Sequence, residues 1–157
     1  MQKITPFLWF NDDAEAAMAL YTSLFKNSKI KDVRRYGDAG PGPKGSVMTA
    51  VFELEGQEFM VLNGGPQFKF TPAVSMFVKC RDQAEVDYLW QALGEGGRYD
   101  RCGWLQDRFG LSWQIIPDAL GKALGDPDPA RASRAMKAML GMTRIDVAEL
   151  QRATDGP

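Results

Sequence analysis

The stretch of sequence that decides the fold runs from Cys102 to Gln114, CGWLQDRFGLSWQ. Its middle contains Arg108-Phe109-Gly110, and a glycine between two strand-like segments is typical of a hairpin turn. We therefore predict that residues 103–107 pair with residues 111–116. Because successive side chains of a strand point to opposite faces, the second strand divides into two sets: Ser112, Gln114 and Ile116 on one face, and Leu111, Trp113 and Ile115 on the other.

A strand and a helix are predicted directly before this hairpin. Residues 74–80 have the aliphatic and aromatic content of a strand, and Asp82 followed by Glu85 has the spacing of a capping box. The next apolar residues recur at helical spacing and stop at Gly94, where the helix is expected to end. This apolar stripe consists of Val86, Leu89, Trp90 and Leu93.

The same order of elements occurs once before in the chain. A strand is predicted at Ile4–Phe10, and Asp12 with Glu15 has the capping-box spacing that should begin the following helix. Three further strands are predicted near residues 30–36, 46–54 and 57–63.

The two helices match in phase when the sequence is shifted along itself. A shift of 69 residues places Asp13 on Asp82 and Tyr21 on Trp90. We therefore predict an α+β protein in which one βαβββ unit is used twice. The alternative is that two amphipathic helices align by chance.

After Pro117 the sequence becomes rich in alanine, leucine and methionine. Helices are predicted near residues 118–124, 129–140 and 146–153, and we expect them to pack on the sheets rather than form a separate domain. The whole prediction is one domain over residues 1–157, with module one at about 1–66, module two at about 67–117 and a helical tail at about 118–157.

Length, charge and cysteine content limit the possible functions. The 157 residues have a net charge of -1 and lack the broad positive field that binding to nucleic acid requires. No apolar run approaches the length of a membrane span, and the first residues lack the pattern of a secretory signal. Two cysteines are too few for a disulfide framework or a thiolate zinc site. We expect a cytoplasmic protein whose partners include neither nucleic acid nor a membrane.

Several separated segments carry a family resemblance: PFLWF at Pro6–Phe10, YTSLF at Tyr21–Phe25, NGGPQFKFTPAVSMFV at Asn63–Val78, CGWLQDRFGLSWQIIP at Cys102–Pro117 and MTRIDVAEL at Met142–Leu150. They resemble the PhnB-like domains of the vicinal oxygen chelate superfamily, which includes glyoxalases, bleomycin-resistance proteins and dihydroxybiphenyl dioxygenases. The resemblance implies two βαβββ modules that form a cupped mixed sheet, commonly completed in a homodimer.

Members of this subgroup often carry the label 3-demethylubiquinone-9 3-methyltransferase. A Rossmann-like methyltransferase holds its cofactor at a glycine-rich turn between a strand and a helix. Here the glycines fall in predicted hairpin turns and in the loop Gly37–Gly45. We therefore disfavour the methyltransferase label and predict no cofactor.

The resemblance also implies positions for a divalent metal, near Pro6, Ser75 and Gln114. Proline offers no donor atom, and a neutral serine with one glutamine amide binds a transition metal poorly, so we predict no metal site. Carboxylates beside the first hairpin turn could hold magnesium or calcium, although glutamates in such a place are usually solvated: Glu53, Glu55 and Glu58.

Two residues of the decisive stretch are weak candidates for catalysis. Cys102 would need a base or a positive environment to become a thiolate, and the chain has no histidine and only arginines nearby in sequence. A structural cysteine is therefore favoured. Asp107 could act as a general acid or base, and a local cap beside the turn explains it equally well. No catalytic residue is assigned.

Ligand binding is expected on the face that bears Gln114, with Trp104 reaching the rim of the cup. The residues expected to contact the ligand are Asn63, Ser75, Phe77, Trp104 and Gln114. We favour a metal-independent binding protein for a small apolar or aromatic molecule. The alternative is an enzyme of the glyoxalase/dioxygenase superfamily that acts on a small oxygenated substrate without the usual metal.

Overall fold

The computed structural model describes residues 2–157, which form two compact units divided between Phe70 and Thr71. The first unit contains β1 (Phe7–Phe10), α1 (Ala14–Leu24), β2 (Lys29–Arg35), β3 (Val47–Leu54) and β4 (Gln57–Asn63). The second unit contains β5 (Ser75–Cys80), α2 (Gln83–Gly94), β6 (Arg98–Tyr99), β7 (Trp104–Gln106) and β8 (Ser112–Pro117), followed by α3 (Asp118–Leu124), α4 (Pro129–Leu140) and α5 (Val147–Asp155).

Each unit contains one four-stranded mixed sheet. The strand orders are β1-β4-β3-β2 and β5-β8-β7-β6. In both sheets the first strand of the unit pairs in parallel with the last, and the other pairs are antiparallel. The α+β class and the duplicated βαβββ unit are therefore confirmed.

The helix of the first unit begins differently from the prediction. Its N-cap residue is Asp13, which makes no side-chain cap bond, and the amide of Ala14 donates instead to Asn63 Oδ1 at 2.9 Å. Asn63 reaches this amide because it pairs with Phe10, the last residue before the chain turns into α1. Glu15 is bound to Arg35, with its Oε2 2.6 Å from Nη2. The capping box predicted at Asp12 and Glu15 is therefore wrong.

The second helix begins as predicted. Asp82 is its N-cap residue, and the Asp82 carboxylate accepts a hydrogen bond from the amide of Glu85 at 3.0 Å. The amide of Arg81, the residue before the cap, in turn donates to Glu85 Oε1 at 2.8 Å. This near-reciprocal arrangement satisfies amides that the first helical turn leaves without partners.

The two units differ by one residue between strand and helix. The first strand ends at Phe10 and its helix is capped by Asp13, whereas β5 ends at Cys80 and its helix is capped by Asp82. The helices therefore correspond at a shift of 69 residues and the strands at 70. Pro6 and Ser75 are 69 residues apart, so they do not correspond in the sheets. A one-residue slip of this kind places a side chain on the opposite face.

The helices after Pro117 share a core with the last strand of the second unit. The residues of this core are Ile116, Leu120, Ala135, Met142, Ile145 and Leu150. None of the helices within residues 2–157 has the length and apolar character that crossing a bilayer requires.

Candidate functional site

The second sheet has one face packed on α2 and one face that carries four of the five predicted ligand-binding residues: Ser75, Phe77, Trp104 and Gln114. Trp113 is buried on the helix side, and its neighbour Gln114 points to the other side. The strand register aligns Phe77 with Gln114 and Gln114 with Trp104. We call Phe77, Gln114 and Trp104 the Gln114 row, because residues in register on adjacent strands lie side by side on one face.

A hydrogen bond fixes the amide at the centre of this row. Gln114 Nε2 donates to Ser75 Oγ at 2.9 Å. The Ser75 hydroxyl therefore keeps its own proton for another acceptor, and Gln114 Oε1 is available to a donor. Both groups are neutral, so this face offers hydrogen bonds without a formal charge at its centre.

Ser112 adds an unusual polar group to the same face. It pairs in register with Ser75, and its side chain is buried, with 1% of the residue exposed. Its Oγ has no hydrogen-bond partner among residues 2–157. Buried hydroxyls are nearly always satisfied, so Ser112 is an exception in this sheet.

The tail covers one end of this face. Ile116 lies two residues beyond Gln114 on the same side of β8, and it belongs to the core formed with the tail helices. Phe77 lies beside Gln114 on the edge strand β5 and is open to solvent, with 58% of the residue exposed. The accessible part is therefore the region around Ser75 and the Gln114 row.

Asn63 lies in the first unit and is used by the backbone. Its Oδ1 accepts the hydrogen bond from Ala14 N, and its carbonyl oxygen accepts one from the Tyr36 hydroxyl at 2.7 Å. The next residue, Gly64, packs so closely on Trp9 that a Cβ would overlap the indole. These contacts explain Asn-Gly-Gly-Pro as a structural turn. The predicted ligand role of Asn63 now depends on its side-chain NH₂ group alone.

Asp107 is buried and accepts three hydrogen bonds. Its Oδ1 accepts from the amides of Phe109 and Leu111 at 2.9 and 3.0 Å, and its Oδ2 accepts from Trp113 Nε1 at 2.9 Å. These bonds close the hairpin turn and hold the indole of the second strand. They favour the local cap over the general acid or base.

Cys102 lies in a strained turn next to the tail. Its φ is +60°, and its amide donates to the carbonyl oxygen of Met142 at 2.9 Å. Its side chain is half-buried, and within residues 2–157 its thiol makes no hydrogen bond or ion pair. The turn therefore has a structural role, because it joins the strand of Trp104 to the tail.

The donor atoms present do not fit the divalent metal that the resemblance implies. The row of the first sheet that corresponds to the Gln114 row consists of Phe7, Met60 and Val51, which offer no oxygen or nitrogen ligand. Among residues 2–157, no group of three or more histidine, cysteine, aspartate or glutamate side chains could hold a metal ion.

Two of the three glutamates beside the first hairpin turn are paired with a lysine. Lys31 Nζ lies 3.5 Å from Glu53 Oε1 and 3.1 Å from Glu58 Oε1. The hydrogen bond to Glu58 raises the pKa of Lys31, with a further contribution from the charge of Glu53. These two carboxylates therefore share a lysine at the surface and do not gather around a common cation.

Comparison with known proteins gives a consistent family and fold. A family model described as 3-demethylubiquinone-9 3-methyltransferase matches residues 2–116. A Bacillus cereus structure described as a putative 3-demethylubiquinone-9 3-methyltransferase, PhnB protein, is 41% identical, with a TM-score of 0.71, covering 74% of this chain and 99% of that one. A Pseudomonas aeruginosa protein is 24% identical, with a TM-score of 0.61, covering 75% of this chain and 100% of its own.

A more distant structure shares the fold alone. A possible glyoxalase from Bacillus cereus is 14% identical, with a TM-score of 0.51, covering 74% of this chain and 98% of that one. No curated protein matches this chain. The matched region of the family model ends at residue 116, so helices α3–α5 lie beyond it.

Proposed function

The chain belongs to the family described as 3-demethylubiquinone-9 3-methyltransferase and has the vicinal oxygen chelate fold of PhnB and glyoxalase/bleomycin-resistance proteins, and we propose that it binds a small apolar or aromatic molecule without a metal. The observation that carries this proposal is the Gln114 row, in which Phe77 and Trp104 flank one neutral amide. Concave, largely apolar surfaces with few polar groups are typical of small-molecule sites.

The two aromatic side chains define the shape of the ligand. Phe77 and Trp104 lie on strands that flank β8, so their rings stand on either side of Gln114. Aromatic faces favour flat, apolar partners and add a geometric preference to the gain from burial. A planar molecule about the size of one or two rings suits this arrangement.

The polar groups define the chemistry of the ligand. Ser75 orients the amide of Gln114 through the 2.9 Å bond, so little side-chain freedom remains to be lost on binding. These groups suit a neutral carbonyl or hydroxyl oxygen on the ligand, because an ion would exchange its hydration for uncharged partners.

A methyltransferase activity is not supported, although the family description names one. In this chain the connections from strand to helix are Asn11–Asp13 and Arg81–Asp82, and neither contains a glycine. Both sheets are mixed, whereas a nucleoside cofactor binds at the ends of parallel strands in a doubly wound sheet. The residues present therefore do not fit that cofactor, and we assign no step to it.

A homodimer is part of the proposal. The open face of the first sheet carries apolar side chains, and Phe7 is 49% exposed. The edge strands, β1 and β2 in the first sheet and β5 and β6 in the second, each pair with one neighbour only. Such faces and edges are commonly covered by a second subunit. Sedimentation at micromolar concentration should give a mass near twice 17.4 kDa; a monomer would remove this part of the proposal.

The decisive experiment combines calorimetric titration with native mass spectrometry. The first probe is 2-naphthol, a neutral aromatic with one hydroxyl, and naphthalene-2-sulfonate is its charged counterpart. We expect 2-naphthol to bind more tightly, and Gln114→Leu to weaken it about tenfold, the contribution of roughly one hydrogen bond.

The matched control is Gln151→Leu, which changes an exposed glutamine on α5. Equal affinities of wild type and Gln114→Leu would refute the site. Chemical conversion of the naphthol, detected as a mass change, would favour the alternative of an enzyme without the usual metal.

A further inference from the structure

A concave surface lies in the second unit and is lined by residues other than those of the Gln114 row. It is an open depression of about 500 Å³. One wall consists of Trp90 and Tyr99, and the other belongs to the segment 141–149 of the tail. Because the family match ends at residue 116, this depression is built partly from a segment outside the matched family region.

The first wall presents an aromatic surface. The rings of Trp90 and Tyr99 are stacked, with centroids 4.8 Å apart and an angle of 24° between the planes. Trp90 is buried, whereas Tyr99 is 43% exposed. Gly94 allows this packing, since a Cβ there would overlap the Tyr99 ring. The electron-rich face of such a pair attracts flat rings and cations.

The charges of the second wall are mainly negative. Glu149 has no ion pair within residues 2–157, and the nearby Asp146 caps α5 through a 2.9 Å bond to the Glu149 amide. Arg144 is already paired with Asp87, with Nη1 3.4 Å from Oδ1. An anion would therefore meet two carboxylates and an occupied arginine, whereas a cation would meet an unpaired glutamate.

Acidic residues in the first turn also have a structural explanation. They stabilise the positive end of the helix dipole, and Asp146 satisfies an orphan amide of α5. This explanation does not require an exposed tyrosine, stacked on a buried tryptophan, to line the same depression. The combination of the aromatic wall with Glu149 is what distinguishes this surface from an ordinary helix start.

The second wall is held in place before any ligand arrives. Gln83 binds it with both ends of its amide, Nε2 donating to the carbonyl of Ile145 at 3.0 Å and Oε1 accepting from Val147 N at 2.7 Å. The carbonyl oxygens of Met142 and Thr143 accept hydrogen bonds at 2.9 and 2.8 Å from the amides of Cys102 and Gly103, in the turn before β7. A wall fixed in this way loses little conformational entropy on binding.

We propose that this depression binds a small aromatic amine, with its ring against Tyr99 and its ammonium group beside Glu149. The aromatic pair supplies a surface for the ring and an attraction for the cation. The carboxylate of Glu149 supplies the opposite charge. This site is independent of the ligand proposed for the Gln114 row.

The test uses three probes of similar shape and different charge. They are 2-phenylethylammonium, neutral 2-phenylethanol and anionic 3-phenylpropanoate, each titrated into isotopically labelled full-length protein and followed by amide chemical shifts. We expect the ammonium probe to bind most tightly, with shifts at Tyr99 and in the segment 141–149. The expected preference over the neutral probe is about fivefold.

One variant and two controls connect the binding to the named residues. Glu149→Gln retains a residue that suits the third position of a helix and should remove the preference for the cation. Glu55→Gln, at an exposed turn of the first unit, should leave it unchanged. Gln114→Leu should not affect the ammonium probe, which separates this site from the proposed function.

The proposal is wrong if the three probes bind equally, if the shifts map outside the depression, or if Glu149→Gln binds the ammonium probe as wild type does. Absence of saturation at millimolar probe would also overturn it. Tyr99→Leu provides a second check, because it keeps an apolar residue and removes the ring; it should weaken the ammonium probe by a similar factor if the circular dichroism spectrum is unchanged.

Discussion

Trp113 donates its indole N–H to Asp107 Oδ2 at 2.9 Å, so the buried acid of the hairpin turn holds the largest side chain of the second strand. The same carboxylate accepts hydrogen bonds from the backbone amides of Phe109 and Leu111. A hairpin whose turn and packed face share one acceptor should keep its shape when the open face changes. This arrangement allows Gln114 and Ser75 to vary in chemistry without unfolding the sheet.

Replacing Asp107 should be costly. Asp107→Ala leaves three donors without their acceptor in a buried site, and unsatisfied buried groups cost about 1 to 3 kcal/mol each when no water replaces the partner. Water that enters the space left by the carboxylate should satisfy some of these donors, so we expect the free energy of unfolding to fall by about 2 to 4 kcal/mol, measured by urea denaturation. Asp38→Asn, in the exposed loop, should change it by less than about 0.5 kcal/mol.

Neighbouring residues of β8 should respond differently to truncation. Trp113→Ala removes a side chain that is 2% exposed and should lower the free energy of unfolding by about 3 to 5 kcal/mol. Gln114→Ala removes only the partly exposed bond to Ser75 and should cost less than about 1 kcal/mol. Equal losses in urea denaturation would contradict the assignment of the two faces.

The two cysteines should differ in reactivity. Cys80 is fully buried, and burial, with a smaller contribution from Glu85, raises its pKa to about 12. Cys102 is half-buried in a turn. At pH 8 an aromatic disulfide reagent should modify about one thiol per native chain and both in urea. Rapid modification of both thiols in the native protein would show that Cys80 is accessible.

The raised pKa of Cys80 also predicts a loss of stability in alkali. An unfolded thiol loses its proton near pH 9.0, whereas the folded one keeps it up to about pH 12, so the folded state binds more protons between these values. Stability is therefore fully present below about pH 9 and falls as the pH rises toward 12. Cys80→Ala should have a shallower decline over this range in chemical denaturation, and an identical slope would argue against the burial of this thiol.

Gly103 should tolerate no side chain. Its φ is +82°, and a Cβ would lie 3.1 Å from the carbonyl oxygen of Ile115 and 2.8 Å from Ile116 Cδ1. Gly45 has a similar φ of +87° with nothing within 4 Å. Gly45→Ala should cost about 1 kcal/mol through backbone strain alone. Gly103→Ala should cost about 1 to 3 kcal/mol more through overpacking, and equal thermal shifts would contradict this close approach.

The cap of the first helix offers a contrast between two residues. Asn63→Ala removes the acceptor for the Ala14 amide and should lower the free energy of unfolding by about 1 kcal/mol. Asn63→Asp keeps an acceptor and should recover most of it. Asp13→Ala should have little effect, because the Asp13 side chain makes no cap bond. The outcome in urea denaturation distinguishes a long-range cap from the local one.

Much of the architecture follows from local patterns in the sequence. Alternation along residues 111–116 predicts that Trp113 and Gln114 face opposite sides, and they do. The capping signal at Asp82 and Glu85 predicts the start of α2, and the proline that ends β8 predicts the change to helices. These features depend on residues a few positions apart, where backbone geometry alone decides which groups can meet.

Other features depend on contacts between distant parts of the chain. Asn63 caps α1 because the parallel pairing with β1 brings it beside a helix 49 residues earlier. The connection from β5 to α2 is one residue shorter than the connection from β1 to α1, so the strands of the two units correspond at a shift of 70 and the helices at 69. The apolar stripes of the helices cannot reveal this difference.

By itself, the sequence determined the two βαβββ units, the tail helices and the division of β8 into two faces, since each of these depends on periodicity and short-range capping. Only the tertiary structure decided that Asp107 caps a turn, that Ser75 orients Gln114, and that the tail forms a wall opposite Tyr99. The physical reason is that a polar side chain binds whichever group the packed sheets and helices bring within about 3 Å. That partner is set by strand register and chain path, which local propensity does not encode.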